Sequence, residues 1–196
     1  MEQLKSPKSS DYESAYALER EKAEFAKDMG WFGKYCFPKA LAKDTPPFHR
    51  DIYKQLKSDE TRRVLIAAPR GTAKSTVCSL IFPMYKIAYK KPEEDLFIVI
   101  VSESQAQSVN FLSRIKYHLE NSQNFKDIFG DFSSATAKRW TGADIVLKNG
   151  ARIVAVGTGQ RVRGFIEGDT RPNVIIVDDF ESELNAFTPE ARTKNR

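Results

Sequence analysis

The chain has 196 residues, a length that suits one α/β domain with a helical extension and can bury a sizeable core. Hydrophobic residues make up 41% and charged residues 29% of it, ordinary globular values that exclude a wholly disordered chain. No apolar run approaches the roughly 20 residues of a membrane span, the polar N-terminus is no secretory signal, and Cys36 and Cys78 cannot form a disulfide framework. A reducing compartment is therefore expected, and the net charge of +5 permits a nucleic-acid partner without establishing one.

The first 47 residues predict a polar tail followed by helices. A stretch rich in Ala, Glu and Lys, with apolar residues at helical intervals, predicts a helix over Tyr12–Lys27 that Gly30 is expected to end. The aromatic run Trp31–Pro38 is typical of a packing segment, and a Pro-Pro turn precedes a short predicted helix over His49–Leu56. We expect residues 1–47 to form an extension that packs on a core domain over residues 48–196.

Beyond residue 60, short apolar runs alternate with helical patterns. The Asn149-Gly150 pair predicts a hairpin turn, and Ser104 is expected to cap a helix. The alternation predicts an α/β fold with a mainly parallel sheet, helices on both faces and a ligand site at the carboxyl ends of the strands. The predicted strands are Arg63–Ala68, Leu96–Ser102, Ile145–Leu147, Ile153–Val156 and Asn173–Asp179, and the predicted helices are Lys74–Tyr89 with a kink at Pro83, Gln105–Glu120 and one starting at Thr188.

The first of these strand ends, AAPRGTAKST, has the order of a phosphate-binding loop. Such a loop curls backbone N–H groups around an anion at a helix N-terminus, with a lysine on the β- and γ-phosphates and a hydroxyl on Mg²⁺. Lys74 and Ser75 stand at those places. Alanines, Ala68 and Ala73, occupy the two glycine positions of the strict motif, and Gly71 is the glycine that the loop retains. The alternative is an ordinary strand-to-helix turn with an incidental Lys-Ser pair.

The last predicted strand ends in acidic residues. Four β-branched apolar residues over Val174–Val177 are followed by Asp178, the pattern of a Walker B strand whose acid holds Mg²⁺. Asp179 stands where the next acid orients the attacking water, and Glu181 competes for that role. An exposed acidic turn after a core strand is the alternative interpretation.

Arginines are concentrated in the glycine-containing stretch before the acidic strand. Guanidinium groups on a mobile loop suit contact with phosphate, and one arginine finger accelerates hydrolysis about 10³–10⁵-fold. Arg163, which Gly164 follows, is the preferred finger, and Arg70 in the loop is a second arginine able to reach a nucleotide. For Arg161 and Arg171, solubilising charge or contact with DNA phosphates is nearly as good an interpretation.

In combination these segments resemble the ATPase (motor) domain of the large terminase subunit of tailed bacteriophages. The resemblance runs from about Phe32 to Arg196, and its most specific element is a glycine-poor phosphate loop that contains Arg70, combined with an Arg-Gly pair and the later Asp-Asp pair. The segments that carry it are PPFHRDIYKQL, APRGTAKST, IVSESQAQS, WTGADIVLKNG, GTGQRVRG and VIIVDDFES.

The resemblance implies a P-loop ATPase of the additional-strand type that uses ATP and Mg²⁺ to pump double-stranded DNA into a procapsid. Lys74 would bind phosphate, and Ser75 and Asp178 would bind magnesium. Arg163 would act on a neighbouring subunit's ATP, and Asp179 departs from the commoner glutamate at the catalytic position. The nucleotide would contact the loop residues Pro69, Arg70, Gly71, Thr72, Ala73, Lys74, Ser75 and Thr76, with Phe48 and His49 beside the adenine.

The same resemblance implies binding partners and a cellular location for the protein. These are double-stranded DNA, a portal protein, a small terminase subunit and other copies in a ring, all in the host cytoplasm with no membrane. We expect this chain to be a fragment that stops after the Walker B strand, without the nuclease domain, and to be monomeric alone. Lys138, Arg139 and Arg152 are expected to contact DNA phosphates.

Two other functions stay open at this point. A helicase-like ATPase of superfamily 2 shares the phosphate loop and an acidic box, although the sequence DDFES fits that box poorly. A nucleotide-binding module without catalysis would share the loop, but its Asp179 would not activate water.

Overall fold

The computed structural model describes residues 9–42, 45–58, 60, 63–158 and 170–179. Within these residues six helical segments precede the first strand, two helices follow it and four strands come last, so the predicted alternation of helices and strands holds only in the middle of the chain. Their bounds are α1 (Ser9–Lys27), α2 (Met29–Cys36), α3 (Pro47–Lys57), α4 (Lys74–Thr76), a π-helical turn (Val77–Ile81), α5 (Phe82–Ala88), β1 (Phe97–Ser102), α6 (Gln105–Asn121), α7 (Gln123–Phe129), β2 (Arg139–Trp140), β3 (Asp144–Val146), β4 (Arg152–Gly157) and β5 (Val174–Val177).

The five strands form one sheet in the order β2-β3-β4-β1-β5. Strand β1 pairs in parallel with β4 and β5, whereas β3 pairs antiparallel with both β2 and β4. The predicted α/β class with flanking helices is confirmed, but the prediction of a mainly parallel sheet is wrong, because the sheet is mixed. The reason lies in the turn at Asn149-Gly150, where Gly150 has a φ of +82° and the chain reverses to make β3 and β4 a hairpin.

Strand β1 lies inside the sheet, between β4 and β5, and is buried at every position. Ile98 and Ile100 project into the main core with the apolar side chains of the helices. The alternate residues Phe97, Val99 and Val101 form a second cluster with Val154 and Val156 of β4 on the other face. Among the described residues, helix side chains join the core on the first face only.

The N-terminal extension contains an additional helix boundary. Asp28 accepts hydrogen bonds from Gly30 N at 2.8 Å and Trp31 N at 3.1 Å, so it caps α2 and starts a new helix directly after α1. The expectation that Gly30 only ends the first helix is therefore wrong, since Gly30 lies inside α2. Phe32, four residues after Asp28, is fully buried and packs against other aromatic rings, as predicted for this segment.

The apolar segment over residues 63–69 is not a strand. Its Leu65 side chain is 96% exposed, which contradicts the predicted buried strand Arg63–Ala68. An apolar run becomes a strand only where another backbone lies alongside to accept and donate the ladder hydrogen bonds. Within the described residues β5 pairs only with β1, and no strand lies beside residues 63–69.

The predicted long helix over Lys74–Tyr89 consists of α4, the π-helical turn and α5 in direct succession. The irregularity expected at Pro83 occurs just before it: Phe82 N–H donates to Val77 O, five residues back. Proline has no N–H group, so the regular helical pattern is interrupted at that point. None of the helices in the described ranges is long and apolar enough to cross a membrane.

Candidate functional site

Three strand ends meet at one edge of the sheet. Because β1, β4 and β5 are parallel to one another, their carboxyl ends lie side by side. Backbone hydrogen bonds fix the residues that follow: Asp178 N donates to Val101 O at 3.0 Å, and Glu103 N donates to Asp179 O at 2.9 Å. The two consecutive aspartates are therefore held at the edge where ligands bind in α/β sheets.

The loop before α4 makes a tight, exposed turn over residues 69–73. Gly71 has a φ of +79° and Ala73 a φ of +58°, so both positions are left-handed. Thr72 Oγ1 donates to Pro69 O at 2.7 Å and closes the turn. The left-handed conformation costs an alanine about 1–2 kcal/mol, so the loop holds Ala73 in a conformation that a glycine adopts without strain.

The Lys74 ammonium group lies against this loop. Its Nζ donates to Ala68 O, and to Pro69 O at 3.0 Å. These bonds hold the positive charge beside the carbonyl groups at the start of the turn. An anion that displaced those carbonyl groups would meet a lysine already positioned at the loop.

Asp178 joins the acidic strand end to the helix that follows the loop. Ser75 Oγ donates to its Oδ1 at 3.2 Å, across 103 residues of sequence. Ser79 Oγ donates to its Oδ2 at 2.7 Å, and Ser79 is buried. The structure thus brings together Ser75 and Asp178, the two predicted magnesium ligands, and adds Ser79, which the sequence analysis missed. The signal for Ser79 was its spacing, since it lies four residues after Ser75.

Asp179 has a different environment from Asp178. Its φ is +51°, its side chain is exposed, and its Oδ2 accepts a hydrogen bond from Gln107 Nε2 at 3.3 Å. Gln107 is presented by α6, whose first turn is capped by Ser104 Oγ as predicted. Gln107 is thus a second site residue that the sequence analysis missed, since only the tertiary fold brings it to Asp179.

Gly157 allows β4 to end against the start of α6. A Cβ atom at this position would lie 2.5 Å from Gln105 N and 3.0 Å from Ser104 C, both backbone atoms that cannot move aside. The next residue, Thr158, donates from Oγ1 to Glu103 O at 2.6 Å. This close approach places the N-terminal turn of α6, and with it Gln107, at the edge of the site.

His49 links α3 to the phosphate-type loop. Its ring is buried, and Nε2 lies 2.7 Å from Thr72 O. A carbonyl oxygen only accepts, so Nε2 carries the proton, while Nδ1 is buried without a hydrogen-bond partner in the described part of the chain. Phe48 packs against His49 with 4.6 Å between ring centroids and stays partly exposed. The predicted adenine contacts of these two residues stay a prediction, but His49 does support the loop.

The predicted arginines are only partly within the described chain. Arg70 is exposed on the loop, and Arg171 is exposed just before β5. Arg161, Arg163 and Glu181 lie outside the described residues, as does the helix predicted to start at Thr188. A different arginine, Arg114 of α6, donates from Nη2 to Thr76 Oγ1 at 3.4 Å and was not predicted.

Two of the arginines expected to contact DNA have structural partners at the other end of the sheet. Arg152 pairs in register with Phe97 at the amino end of β1, one strand length away from Asp178. Its guanidinium lies 2.9 Å from Asp144 and 4.5 Å above the Phe97 ring, and Arg139 also pairs with Asp144 at 2.8 Å. These two charges therefore stabilise the hairpin, away from the loop that carries Lys74.

Cys78 lies in the π-helical turn, and the pKa of its thiol depends on its burial and on the charges of the site. Burial, with a further contribution from the Asp178 charge, raises the pKa of its thiol to about 11, against an opposing effect of Lys74. The thiol is thus protonated at neutral pH and has little nucleophilic character.

The residues present suit a magnesium-bound phosphate. Within the part of the chain that the structure describes, no three His, Cys, Asp or Glu side chains cluster as metal ligands. The donors at the loop are the Ser75 hydroxyl and the Asp178 carboxylate, 3.2 Å apart. Mg²⁺ prefers one or two carboxylates with phosphate oxygens and water as its other ligands, so this small oxygen set fits it.

No protein-family model matches the chain, and no curated protein matches it significantly. The geometry of the site and the resemblance of its motifs are therefore what bear on function.

Proposed function

We propose that this chain is the ATP-hydrolysing motor domain of a large terminase subunit, built on a P-loop ATPase fold. The observation that carries the proposal is the contact between Ser75 Oγ and Asp178 Oδ1 at 3.2 Å. It joins the hydroxyl that follows the loop lysine to the acid at the end of β5, the arrangement in which the magnesium of a bound nucleoside triphosphate is held in this class of enzyme.

Nucleotide binding would use groups that the loop already presents. The positive φ angles at Gly71 and Ala73 curl the backbone, and the exposed turn has room for phosphate oxygens. Lys74 would exchange its bonds to the loop carbonyl groups for charge-assisted bonds to phosphate. His49 keeps Thr72 in place, so the turn is preorganised before the nucleotide binds.

The two aspartates would have different roles in hydrolysis. A bound Mg²⁺, held by Ser75 and Asp178, would neutralise charge on the phosphate oxygens. Asp179, or Glu181 in its place, would accept a proton from the attacking water, and Gln107 would orient the Asp179 carboxylate through its 3.3 Å hydrogen bond. Arg163 or Arg70 would stabilise the developing charge.

The translocation part of the proposal rests on the motif resemblance. In it, double-stranded DNA is the moving substrate, a portal protein and a small terminase subunit are partners, and copies of the motor subunit form a ring in the host cytoplasm.

One observation favours a second candidate function, a nucleotide-binding module without hydrolysis. Asp179 is left-handed and bonded to Gln107, and no hydrogen bond joins its carboxylate to Ser75 or Lys74.

Nucleotide binding and turnover in single variants test the proposal. We expect Lys74→Ala to weaken binding of a fluorescent ATP analogue at least tenfold, while Lys91→Ala, an exposed lysine before β1, leaves it unchanged. Asp179→Asn is expected to keep binding and lose magnesium-dependent phosphate release. Wild-type binding by both Lys74→Ala and Asp178→Asn would overturn the site. Binding without turnover in the wild-type chain would favour the non-hydrolysing module.

A further inference from the structure

A cleft of about 480 Å³ lies between α3 and the junction of α1 with α2, apart from the site described above. It is open to solvent, and four of its lining residues are basic. We call it the basic cleft and define it by Lys27, Asp28, Arg50, Tyr53, Lys54 and Lys57.

The basic side chains of α3 lie along one flank of that helix. Arg50, Lys54 and Lys57 recur at helical spacing, next to the face that buries Ile52 and Tyr53 in the core. The core does not need these charges. Their alignment concentrates positive charge along one side of the cleft.

The charges of the basic cleft are only partly neutralised. Its one acid, Asp28, accepts two backbone N–H groups as the cap of α2. Lys27 pairs with Glu24 at 2.7 Å, and Lys57 Nζ donates to the last carbonyl groups of α1. Within the described residues, neither Arg50 nor Lys54 has a hydrogen bond or an ion pair.

Tyr53 also lines the cleft. Its side chain is 5% exposed, and its hydroxyl is buried with no hydrogen-bond partner among the described residues. Burial raises its pKa to about 12, so the hydroxyl keeps its proton at neutral pH beside the cleft. The exposed Arg50 and Lys54, without partners among the described residues, give the cleft unused capacity to bind an anion.

We propose that the basic cleft binds the phosphodiester backbone of double-stranded DNA, with Arg50 and Lys54 each contacting a phosphate. Residues four apart on a helix have Cβ atoms about 5–6 Å apart, and long basic side chains extend from that spacing to neighbouring phosphates of one strand. The opening to solvent admits a polymer. The choice of DNA over another polyphosphate rests on the proposed function, whereas the anion site rests on the geometry alone.

Fluorescence anisotropy with a labelled 20-base-pair duplex tests the inference on this chain. We expect Arg50→Gln/Lys54→Gln to raise the duplex Kd about 10- to 100-fold near 0.1 M salt, and to lower the slope of log Kd against log salt by about 2. The charge-preserving Arg50→Lys/Lys54→Arg variant should bind nearly as the wild type, and Lys90→Gln/Lys91→Gln, before β1, is the charge-matched control.

Two further measurements separate the outcomes. Thermal melting and binding of the fluorescent ATP analogue should be unchanged in Arg50→Gln/Lys54→Gln, and their loss would overturn the inference. Equal duplex Kd and salt slope in variant and wild type would refute the basic cleft and leave the proposed function standing. A wild-type chain that binds no duplex refutes the DNA partner in both proposals, while tripolyphosphate bound in its place would assign the cleft to a free anion.

Discussion

The hydroxyl of Ser79 donates a 2.7 Å hydrogen bond to Oδ2 of Asp178, which lies 99 residues later in the chain. Ser75 donates to the other oxygen of the same carboxylate. Asp178 is therefore held through both oxygens by one helix, and its orientation is fixed before any cation binds. If Ser75 turned to a cation, Ser79 would still hold the carboxylate.

Removing the Ser79 hydroxyl should affect both stability and the response to magnesium. A lost hydrogen bond to a charged group costs about 1–3 kcal/mol, and we expect Ser79→Ala to lower the free energy of unfolding by that amount. Because Asp178 would then be oriented only by Ser75, the Mg²⁺ concentration that half-saturates ATP-analogue binding should rise several-fold. Urea denaturation and magnesium titration measure the two effects.

Ser108→Ala is the matched control for that change. Ser108 is also a buried helical serine, but its Oγ donates to Gln105 O at 2.9 Å within its own helix. We expect Ser108→Ala to lower the free energy of unfolding without changing the Mg²⁺ concentration that half-saturates ATP-analogue binding. Equal shifts in the two variants would show that Ser79 does not position Asp178.

Replacing the left-handed Ala73 is expected to increase the free energy of unfolding. Ala73→Gly relieves about 1–2 kcal/mol of backbone strain and costs about 0.4–1 kcal/mol through the more flexible unfolded chain. We expect a net gain of about 0.5–1 kcal/mol in the free energy of unfolding, measured by urea denaturation. Ala68→Gly, at a position without a positive φ, should lose stability, and a loss in both variants would contradict the strain.

The parts of this fold that the sequence predicts are those set by local chemistry. Five apolar residues in a row, Phe97–Val101, indicate the buried strand β1, and Ser104 caps α6 because its hydroxyl reaches an N–H three residues on. The Asn149-Gly150 turn follows from the positive φ that Gly150 supplies. Each of these depends on fewer than ten neighbouring residues.

The parts that the sequence does not predict depend on partners far away along the chain. Residues 63–69 have an apolar pattern like that of β1, yet the pattern cannot say whether a second strand lies alongside. Ser79 and Gln107 become site residues through contacts across 99 and 72 residues. Motif order placed Ser75 and Asp178 in one predicted site, and the structure brings these two side chains into contact; their binding of magnesium stays a prediction.

Close backbone packing makes Gly157 intolerant of any side chain. We expect Gly157→Ala to lower the free energy of unfolding by about 1–3 kcal/mol, because its Cβ would overlap Gln105 N and push α6 from the sheet. Gly142→Ala, where nothing lies within 4 Å, should be neutral or slightly stabilising. Urea denaturation of the pair measures the difference, and equal stability would contradict the packing.

The outer edge of β5 is expected to pair with other copies of the chain. Ile175 and Val177 are 56% and 55% exposed, and within the described residues β5 pairs on one side only. Exposed apolar edge strands template pairing with other chains, and lysine on such an edge prevents it. We expect Ile175→Lys to reduce association in sedimentation velocity with a stability change within about 0.5 kcal/mol.

A substitution at Ile176 is the control that distinguishes protection of the β5 edge from unfolding of the chain. Ile176 is buried in the main core, so Ile176→Lys should unfold the chain and increase aggregation. Association of Ile175→Lys equal to that of the wild type would show that β5 is not the associating edge.

His118 should make stability fall in mild acid. Burial, and secondarily the Arg114 charge, lower its pKa in the folded chain, whereas the unfolded chain keeps the ordinary value near 6.5. Below that pH the unfolded state binds the extra proton, so stability is complete above about pH 6.5 and is lost as pH falls, by at most about 1.4 kcal/mol per pH unit. Urea denaturation between pH 7 and 5 measures the slope. His118→Gln should flatten it and Arg114→Gln should reduce it, while an unchanged slope in His118→Gln would assign the acid sensitivity to other groups.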